Sequence, residues 1–311
     1  MTKKVEDRTS ILHGIRVLDG GLASELERRG ANINGPLWSA HVLEDEPERV
    51  AAVHRAYIEA GSECIATCSY QVSRKGYAEF GLLPDRADAA LLRAVAVARS
   101  VTAEFSSRRV LVAGSLGPFG AVMHNGAEYH GNYDCSHAEL VRFHRERIAV
   151  LAEASEAHAP DLLAFETFPS FDEAKAVCEA LEHWPDLQAW LSFTCRDEKT
   201  VAHGEPVREC AVFLDGIPQI VGIGINCVPS RLVQPLIAEL RSGTRKPILI
   251  YPNSGEGWDA EARCWIGSSE PADFGANAAK WFDAGAQIVG GCCRTGPEHI
   301  RQVVQAAVAR Y

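Results

Sequence analysis

Eight apolar segments, each followed by a segment with helical character, set the pattern of this 311-residue chain. They cover residues 15–21, 62–67, 110–115, 161–166, 187–193, 220–227, 246–251 and 286–291. Near-continuous apolar strands that alternate with helices are typical of a parallel sheet covered by helices. Eight such units predict an α/β fold, a single closed (β/α)8 TIM barrel. The alternative is an open doubly wound sheet, but the glycine-rich turns lack the G-x-G-x-x-G nucleotide fingerprint.

The length and composition agree with one globular unit. The chain is longer than a usual domain, but α/β barrels reach this size as one domain. No segment resembles a linker, so residues 1–311 are predicted to form one domain. The hydrophobic fraction of 47% and the charged fraction of 23% are ordinary for a protein that buries a large core.

The same data restrict localisation and partners. No apolar run approaches the roughly 18 residues of a membrane span, and the first residues lack the apolar region of a signal peptide. The chain is therefore predicted to be cytoplasmic, with no membrane partner. A net charge of −10 without any basic run argues against a nucleic-acid partner and mildly favours a cationic substrate.

Three cysteines stand where predicted strands end. Cys292 and Cys293 follow two glycines after the last apolar segment, and Cys227 ends an earlier, glycine-containing one. A disulfide between the adjacent pair is unfavourable, because consecutive Cα atoms lie about 3.8 Å apart and an unstrained disulfide needs roughly 4.4 Å. Three thiolates with one open position are typical of a catalytic zinc site. The alternative is that the three are buried structural thiols.

Polar side chains also stand at the predicted strand ends. They are Asp19, Thr67, Ser115, Glu166 and Asn253. In a parallel barrel the carboxyl ends of the strands form one rim, and that rim carries the active site. For the two acidic residues the alternative is that they cap the following helices.

Two further features of the rim have functional interpretations. Gly20 and Gly21 are either turn residues or bring backbone amides to a substrate carboxylate. The loop over residues 116–135 is long, and loops of that length are usually functional.

The chain resembles the homocysteine S-methyltransferase family, which includes betaine–homocysteine methyltransferase. The resemblance covers essentially the whole chain. It rests on Leu18-Asp19-Gly20-Gly21, Ser69-Tyr70-Gln71, Gly114-Ser115-Leu116-Gly117-Pro118, Phe165-Glu166-Thr167, Gly224-Ile225-Asn226-Cys227, Tyr251-Pro252-Asn253-Ser254 and Gly290-Gly291-Cys292-Cys293. The cysteines are its most specific part.

The resemblance implies a set of site residues. Cys227, Cys292 and Cys293 would be ligands of Zn²⁺. The amino acid part of homocysteine would contact Asp19, Gly20, Gly21 and Glu166, and Thr67 and Asn253 on the same rim complete the predicted substrate-binding set. The implied partners are small molecules, homocysteine and a methyl donor.

The donor is predicted from a loop segment and from aromatic residues. Residues 36–40 resemble the branch that uses S-methylmethionine or S-adenosylmethionine, whereas Asn34-Gly35-Pro36 departs from the usual sequence of that branch. Loop aromatics are candidate donor contacts because aromatic faces attract a sulfonium cation. These residues are Trp38, Tyr70, Phe168 and Trp258. Their alternative role is packing at the barrel mouth.

The predicted activity is zinc-dependent transfer of a methyl group from a sulfonium donor to homocysteine, which gives methionine. The alternatives are a betaine-type or selenocysteine-type methyltransferase of the same family, and a non-catalytic zinc-binding or redox-sensing barrel. The sequence leaves the oligomeric state open.

Overall fold

The computed structural model describes residues 10–33, 39–255, 257–259, 264–266 and 270–310. The helices are α1 (Leu22–Arg28), α2 (Ser39–Asp45), α3 (Pro47–Ala60), α4 (Arg74–Ala78), α5 (Pro84–Ala103), α6 (His137–Ala152), α7 (Phe171–Leu181), α8 (Val207–Asp215), α9 (Val233–Gly243), α10 (Pro271–Ala284) and α11 (Pro297–Val308). The strands are β1 (Cys64–Ala66), β2 (Leu111–Leu116), β3 (Leu162–Phe168), β4 (Ala189–Phe193), β5 (Ile220–Asn226), β6 (Ile248–Tyr251), β7 (Gly257–Asp259), β8 (Cys264–Ile266) and β9 (Ile288–Val289). Short 3-10 turns cover Phe119–Met123, Ala127–Tyr129 and Ser230–Leu232.

A parallel sheet of seven strands forms the centre of the molecule. Its order is β1-β2-β3-β4-β5-β6-β9, so neighbours in the sheet follow one another along the chain. The two edge strands are connected through one segment, because Val17 forms a parallel bridge with Val289 and Leu18 forms one with Cys64. The sheet is therefore curled, and the fold is α/β and TIM-barrel-like.

The sheet is buried on both faces, as its continuous apolar strands predicted. Strands β2 and β4 are buried at every position. Helix α3 shows how the outer layer packs: Pro47 starts it, Gly61 ends it with φ of +111°, and Val50, Val53 and Tyr57 are buried against the core. Among the described residues, no helix is both long and apolar enough to cross a bilayer.

The first predicted strand is much shorter than expected. Of residues 15–21, Val17 and Leu18 form the two bridges. The N–H groups of Arg16 and Val17 donate to the carboxylate of Glu63 at 2.7 and 3.1 Å. The Glu63 side chain therefore occupies backbone N–H groups that would otherwise hydrogen-bond to a neighbouring strand, and the ladder of strand hydrogen bonds stays short.

Local structure departs from prediction in other loops. Ser39 and Ala40, predicted as part of a loop, begin α2, whereas residues 34–38 lie outside the described residues. Helix α4 and the antiparallel pair β7–β8 were not predicted. The buried Ala40, Val42 and Leu43 give the reason for α2, because tertiary packing of its apolar face outweighs local turn signals.

Candidate active site

The three predicted cysteine ligands meet in space. Cys227 follows β5, and Cys292 and Cys293 follow β9, so all three lie beyond the carboxyl ends of their strands. Their sulfur atoms lie within 4.8 Å of one another, and the sulfur atoms of Cys227 and Cys293 are 3.6 Å apart. None of the three forms a disulfide. The cluster is a set of three free thiols that share one small volume.

Backbone hydrogen bonds hold the cluster in place. The N–H of Cys227 donates to the Tyr251 carbonyl at 3.2 Å, and the N–H of Cys292 donates to the Pro252 carbonyl at 2.8 Å. The carbonyl of Cys293 accepts from Ser254 at 3.1 Å. Cys227 also has φ of +52°, an uncommon conformation for a residue with a side chain. The end of β6 and the segment after it therefore position all three cysteines.

The glycines beside the cysteines permit a close backbone approach. A Cβ added to Gly21 would lie 2.4 Å from the carbonyl oxygen of Cys292, and one on Gly290 would lie 2.8 Å from that of Asp19. The N–H of Gly291 donates to the Asp19 carbonyl at 2.9 Å. These contacts join the first and last turns of the sheet, so Asp19 is brought to the same rim as the cysteines.

The thiols influence one another's ionisation. Hydrogen bonds from Cys227 and Cys292 lower the pKa of Cys293 well below its usual value. Hydrogen bonding to Cys227 and Cys293 raises the pKa of Cys292. One thiolate therefore forms readily, while ionisation of all three requires a compensating cation. This donor set has the chemistry of a site for a thiophilic metal ion.

Glu166 lies beside this cluster in an enclosed position on β3. Its carboxylate accepts a short hydrogen bond from the Ser115 hydroxyl. Burial raises the pKa of Glu166 to about 7; hydrogen bonds from Ser115 and Tyr251 act in the opposite direction, and the Cys227 thiolate raises it further. The side chain is thus a carboxylate that would gain from a cationic partner.

Asp19 is the second carboxylate of the rim, and its side chain is buried. It accepts a hydrogen bond from the N–H of Ala66 at 2.8 Å. Burial raises its pKa well above the usual value, the Ala66 hydrogen bond opposes this, and the charge of Glu166 adds to it. Asp19 and Glu166 therefore repel each other when both are ionised, and a bound ammonium group would relieve that repulsion.

Helix capping does not explain either acidic residue. Helix α7, which follows Glu166, is capped by Ser170, whose hydroxyl accepts from the N–H of Glu173. Helix α1 begins after Gly21 and has no side-chain cap. The capping alternative is therefore wrong for both residues, because the side chains point to neighbouring strands and not to a helix end.

The other predicted substrate residues have distinct surroundings. The Thr67 hydroxyl accepts from the N–H of Ser115 at 2.9 Å and lies 2.6 Å from the Ser69 hydroxyl, so it supports the strand that carries Ser115. The N–H of Gly21 donates to Thr295. The Oδ1 atom of Asn253 is buried without a hydrogen-bond partner in the part of the chain that the structure describes. Asn253 therefore presents an unused acceptor.

The glycine next to Gly21 has a packing role. A Cβ on Gly20 would lie 2.8 Å from the Tyr57 ring and 2.9 Å from the Thr295 hydroxyl. The Tyr57 hydroxyl in turn donates toward the carbonyl groups of Gly21 and Thr295 at 3.1 and 3.0 Å. Substitution here would disturb the turn that carries Asp19.

The four predicted donor contacts differ in position. Tyr70 lies at the rim: burial raises its pKa, as do the charges of Glu128, Cys227 and Cys292. Phe168 is fully buried and packs against the rings of His144 and Phe165, which favours its alternative role in packing. Trp38 lies outside the described residues. Trp258 belongs to β7, one strand of a separate two-stranded sheet.

The structure adds site residues that sequence reasoning missed. The Tyr129 hydroxyl lies 3.4 Å from the sulfur of Cys227, and Glu128 precedes it in a 3-10 turn of the long loop. Thr167 has φ of +62°, and the Asn226 side chain holds it through two hydrogen bonds of 2.8 Å. The long-loop prediction pointed to the region of Glu128 without naming a residue.

A TIM-barrel-like fold with three thiols and two carboxylates at the carboxyl ends of its strands defines a class of protein: an enzyme with a candidate thiolate metal site. The model of the family described as homocysteine S-methyltransferase matches residues 16–307. The chain belongs to the homocysteine S-methyltransferase family.

Individual relatives agree with this assignment. The chain is 43% identical over 302 residues to the homocysteine S-methyltransferase YbgG of Bacillus subtilis (strain 168), which covers 94% of each chain. Among solved structures it is similar to the oxidized form of the homocysteine methyltransferase MmuM from Escherichia coli, with a TM-score of 0.85, 38% identity and coverage of 97% of this chain and 98% of the other. The metallated form of MmuM gives a TM-score of 0.82 at 38% identity, with 96% of each chain covered.

Proposed function

We propose that this chain is a closed (β/α)8 barrel that uses a Zn²⁺ ion to methylate homocysteine from a sulfonium donor, with methionine as the product. The observation that carries the proposal is the cluster formed by Cys227, Cys292 and Cys293 beside the carboxylates of Asp19 and Glu166. Methyl transfer to homocysteine also follows from the family. The zinc ion, the sulfonium donor and the location in the cytoplasm are the parts that we infer.

The geometry of the cysteine cluster fits zinc. With Zn–S bonds of about 2.3 Å, tetrahedral sulfur ligands stand roughly 3.8 Å apart. The sulfur atoms of Cys227 and Cys293 are 3.6 Å apart, and all three lie within 4.8 Å. Cys227, Cys292 and Cys293 would hold the ion, and three protein ligands would leave one position for the substrate sulfur, as in catalytic zinc sites. When bound, zinc would keep the homocysteine sulfur in its nucleophilic thiolate form at neutral pH.

The acidic residues would bind the amino acid part of homocysteine. Asp19 is buried and Glu166 is partly buried, and each has a raised pKa, so an ammonium group between them would restore favourable electrostatics. The unpartnered Oδ1 of Asn253 offers a further acceptor. Thr67 and the two glycines, Gly20 and Gly21, would contribute by fixing the strand ends and the turn.

The electrostatic character of the site favours a cationic donor. Cysteine thiols and the carboxylates of Asp19, Glu128 and Glu166 lie around the site. Burial raises the pKa of each carboxylate, and the charges of Glu166 and Cys227 add to these shifts. Tyr70, Trp38 and Trp258 remain our predicted aromatic contacts to the sulfonium. Residues 36–40 resemble the S-methylmethionine or S-adenosylmethionine branch, and on that ground we propose a sulfonium donor over betaine.

The chain's own residues then have positioning roles. In-line displacement of a methyl group from sulfonium releases a neutral sulfide, so the leaving group needs no general acid. Asp19 and Glu166 would orient homocysteine, and the enclosed rim would exclude water from the reacting atoms. Because the reaction joins two substrates, such positioning accounts for much of the rate acceleration.

A metal-binding experiment tests the ligand set. Cys227→Ala, Cys292→Ala and Cys293→Ala should each lose most of the bound zinc and the activity, whereas Cys178→Ala, a buried cysteine away from the cluster, should retain both. Metal content is measured on the purified proteins. Full zinc occupancy in a cluster variant would remove that cysteine from the set.

An activity assay separates enzyme from storage protein. The zinc-loaded protein should form methionine from homocysteine with S-methylmethionine or S-adenosylmethionine and not with betaine, and a chelator should abolish the reaction. A non-catalytic zinc-binding or redox-sensing barrel predicts zinc binding with no turnover for any donor. Undiminished turnover after complete removal of the metal would refute the zinc-dependent mechanism.

A further inference from the structure

The long loop between β2 and α6 brings an acidic residue to the cysteine cluster. Within this loop, Ala127–Tyr129 form a 3-10 turn. The Tyr129 hydroxyl lies 3.4 Å from the sulfur of Cys227, although half of the Tyr129 surface is exposed (50%). The turn therefore covers the cluster from the solvent side. Glu128 is the adjacent residue in the same turn.

The Glu128 carboxylate is enclosed and lacks a counter-charge. Its Oε2 atom is buried without a hydrogen-bond partner, and in the described ranges no lysine, arginine or histidine forms an ion pair with it. Burial raises the pKa of Glu128 to about 7. A hydrogen bond from the residue's own backbone N–H opposes this rise, and the charge of the Cys227 thiolate adds to the rise. A buried acceptor without a partner is unfavourable for folding, so a ligand that contacts the Glu128 carboxylate would be stabilising.

The charge of Glu128 reaches the other groups of the site. Burial first, and then the Glu128 carboxylate, raise the pKa of the Tyr70 hydroxyl. Hydrogen bonds from Cys227 and Cys292 lower the pKa of Cys293, and the charge of the Glu128 carboxylate opposes this lowering. Glu128 therefore lies close enough to the predicted donor contact Tyr70 and to Cys293 for its charge to act on both.

Buried contacts fix the turn in this position. A Cβ on Gly120 would lie 2.6 Å from the backbone N of Glu128, so the two 3-10 turns of the loop pack backbone to backbone. The Asn125 side chain accepts from the N–H of Ala127 at 3.1 Å. The placement of Glu128 is thus set by its surroundings and not by its own side chain.

The ends of the loop are anchored by one buried glutamate. The Glu173 carboxylate accepts hydrogen bonds from the backbone of Phe119 and from the Tyr133 hydroxyl. It also contacts the ring of the fully buried His144 at 2.9 Å. The carboxylate of Glu128 is therefore held on a supported loop.

We propose that Glu128 binds the positive charge of the methyl donor. This inference rests on the proposed function and extends it to a residue of the chain. A donor molecule that delivers its methyl group to a sulfur at the cluster must bring its sulfonium close to Cys227, and Glu128 carries an unpartnered carboxylate oxygen in the turn whose Tyr129 contacts Cys227. S-methylmethionine carries a second positive charge, its α-ammonium, which has the same chemistry toward a carboxylate.

The kinetic consequence differs from that of Glu166. The sulfonium loses its charge as the methyl group leaves, so Glu128 would stabilise the bound donor more than the transition state. Removal of the charge should therefore raise KM for the donor and leave kcat unchanged or higher. A charge-assisted contact corresponds to a rise in KM of roughly 10- to 150-fold.

The test uses Glu128→Gln in the zinc-loaded full-length protein. Glu156→Gln is the control, because it removes the same charge from an exposed turn. We expect Glu128→Gln to raise KM for S-methylmethionine, with KM for homocysteine and zinc content unchanged. Glu128→Asp, which keeps the charge, should recover part of the affinity. Calorimetric binding of S-methylmethionine gives the same comparison without turnover.

A second donor identifies the charge that Glu128 binds. Dimethylsulfonioacetate is a sulfonium without an α-ammonium. A loss of affinity for both donors assigns Glu128 to the sulfonium, and a loss for S-methylmethionine alone assigns it to the α-ammonium. A wild-type donor KM in Glu128→Gln, or a rise in the homocysteine KM instead, would overturn the inference while the proposed function stands. Absence of binding and turnover with S-methylmethionine, S-adenosylmethionine and dimethylsulfonioacetate in the wild type would overturn both.

Discussion

Replacement of Glu166 by glutamine separates substrate binding from stability in one variant. Glu166→Gln keeps the size of the side chain, and its amide can still hydrogen-bond to the hydroxyl groups of Ser115 and Tyr251, which contact the carboxylate now. The change removes the charge that would pair with the ammonium of homocysteine. A charge-assisted hydrogen bond contributes about 1.5–3 kcal/mol, so kcat/KM for homocysteine should fall by roughly 10- to 150-fold.

The same variant should be more stable than the wild type at alkaline pH. Burial raises the pKa of Glu166 from 4.5 to about 7, so the folded protein holds its proton more tightly than the unfolded chain does. A raised carboxyl pKa favours folding fully below pH 4.5, and that contribution is lost as pH rises through 7. One pKa unit corresponds to about 1.4 kcal/mol, so the ionised side chain lowers the free energy of unfolding by up to about 3 kcal/mol. Glutamine avoids this loss.

Two measurements test this reasoning. The kinetics of homocysteine use are measured with zinc content as a control, and zinc content should not change. Melting temperatures at pH 5 and pH 8 should show that the advantage of Glu166→Gln over the wild type grows with pH, while Glu156→Gln shows no such trend. Wild-type homocysteine kinetics, or an equal loss of stability at both pH values, would refute the assignment of Glu166 as a partly buried, substrate-binding carboxylate.

Two further predictions concern the glycine turn and a buried histidine. Gly21→Ala places a Cβ 2.4 Å from the Cys292 carbonyl oxygen, so it should destabilise the fold by about 1–3 kcal/mol and weaken zinc binding. The control Gly216→Ala, whose Cβ would lie 3.5 Å from its nearest neighbour, should do neither. Denaturation measures the stability of both variants, and metal titration measures their zinc binding. Burial lowers the pKa of His54 from 6.5 to about 4, so folding stability is full above pH 6.5 and falls by about 3 kcal/mol toward pH 4. His54→Leu should remove that part of the acid sensitivity in melting curves, and an unchanged pH profile would contradict it.

The sequence by itself determined the architecture and the rim residues. Apolar strands alternating with helices specify a parallel sheet, and in a parallel sheet all carboxyl ends lie on one side. Cys227, Cys292 and Cys293 could therefore be expected to meet, because each directly follows an apolar strand, and the structure brings their sulfur atoms within 4.8 Å of one another. Asp19 and Glu166 were placed on the same rim by the same rule.

Tertiary structure alone decided the surroundings of those residues. The Ser115 and Tyr251 partners of Glu166, and the short first strand beside Glu63, result from contacts between segments far apart in the chain. Glu128 reaches the cysteines through an irregular loop, and no periodicity predicts the path of such a loop. Strand ends follow from local patterns, but the burial and the partners of a side chain depend on the packing of many segments at once, and these set its pKa and its chemistry.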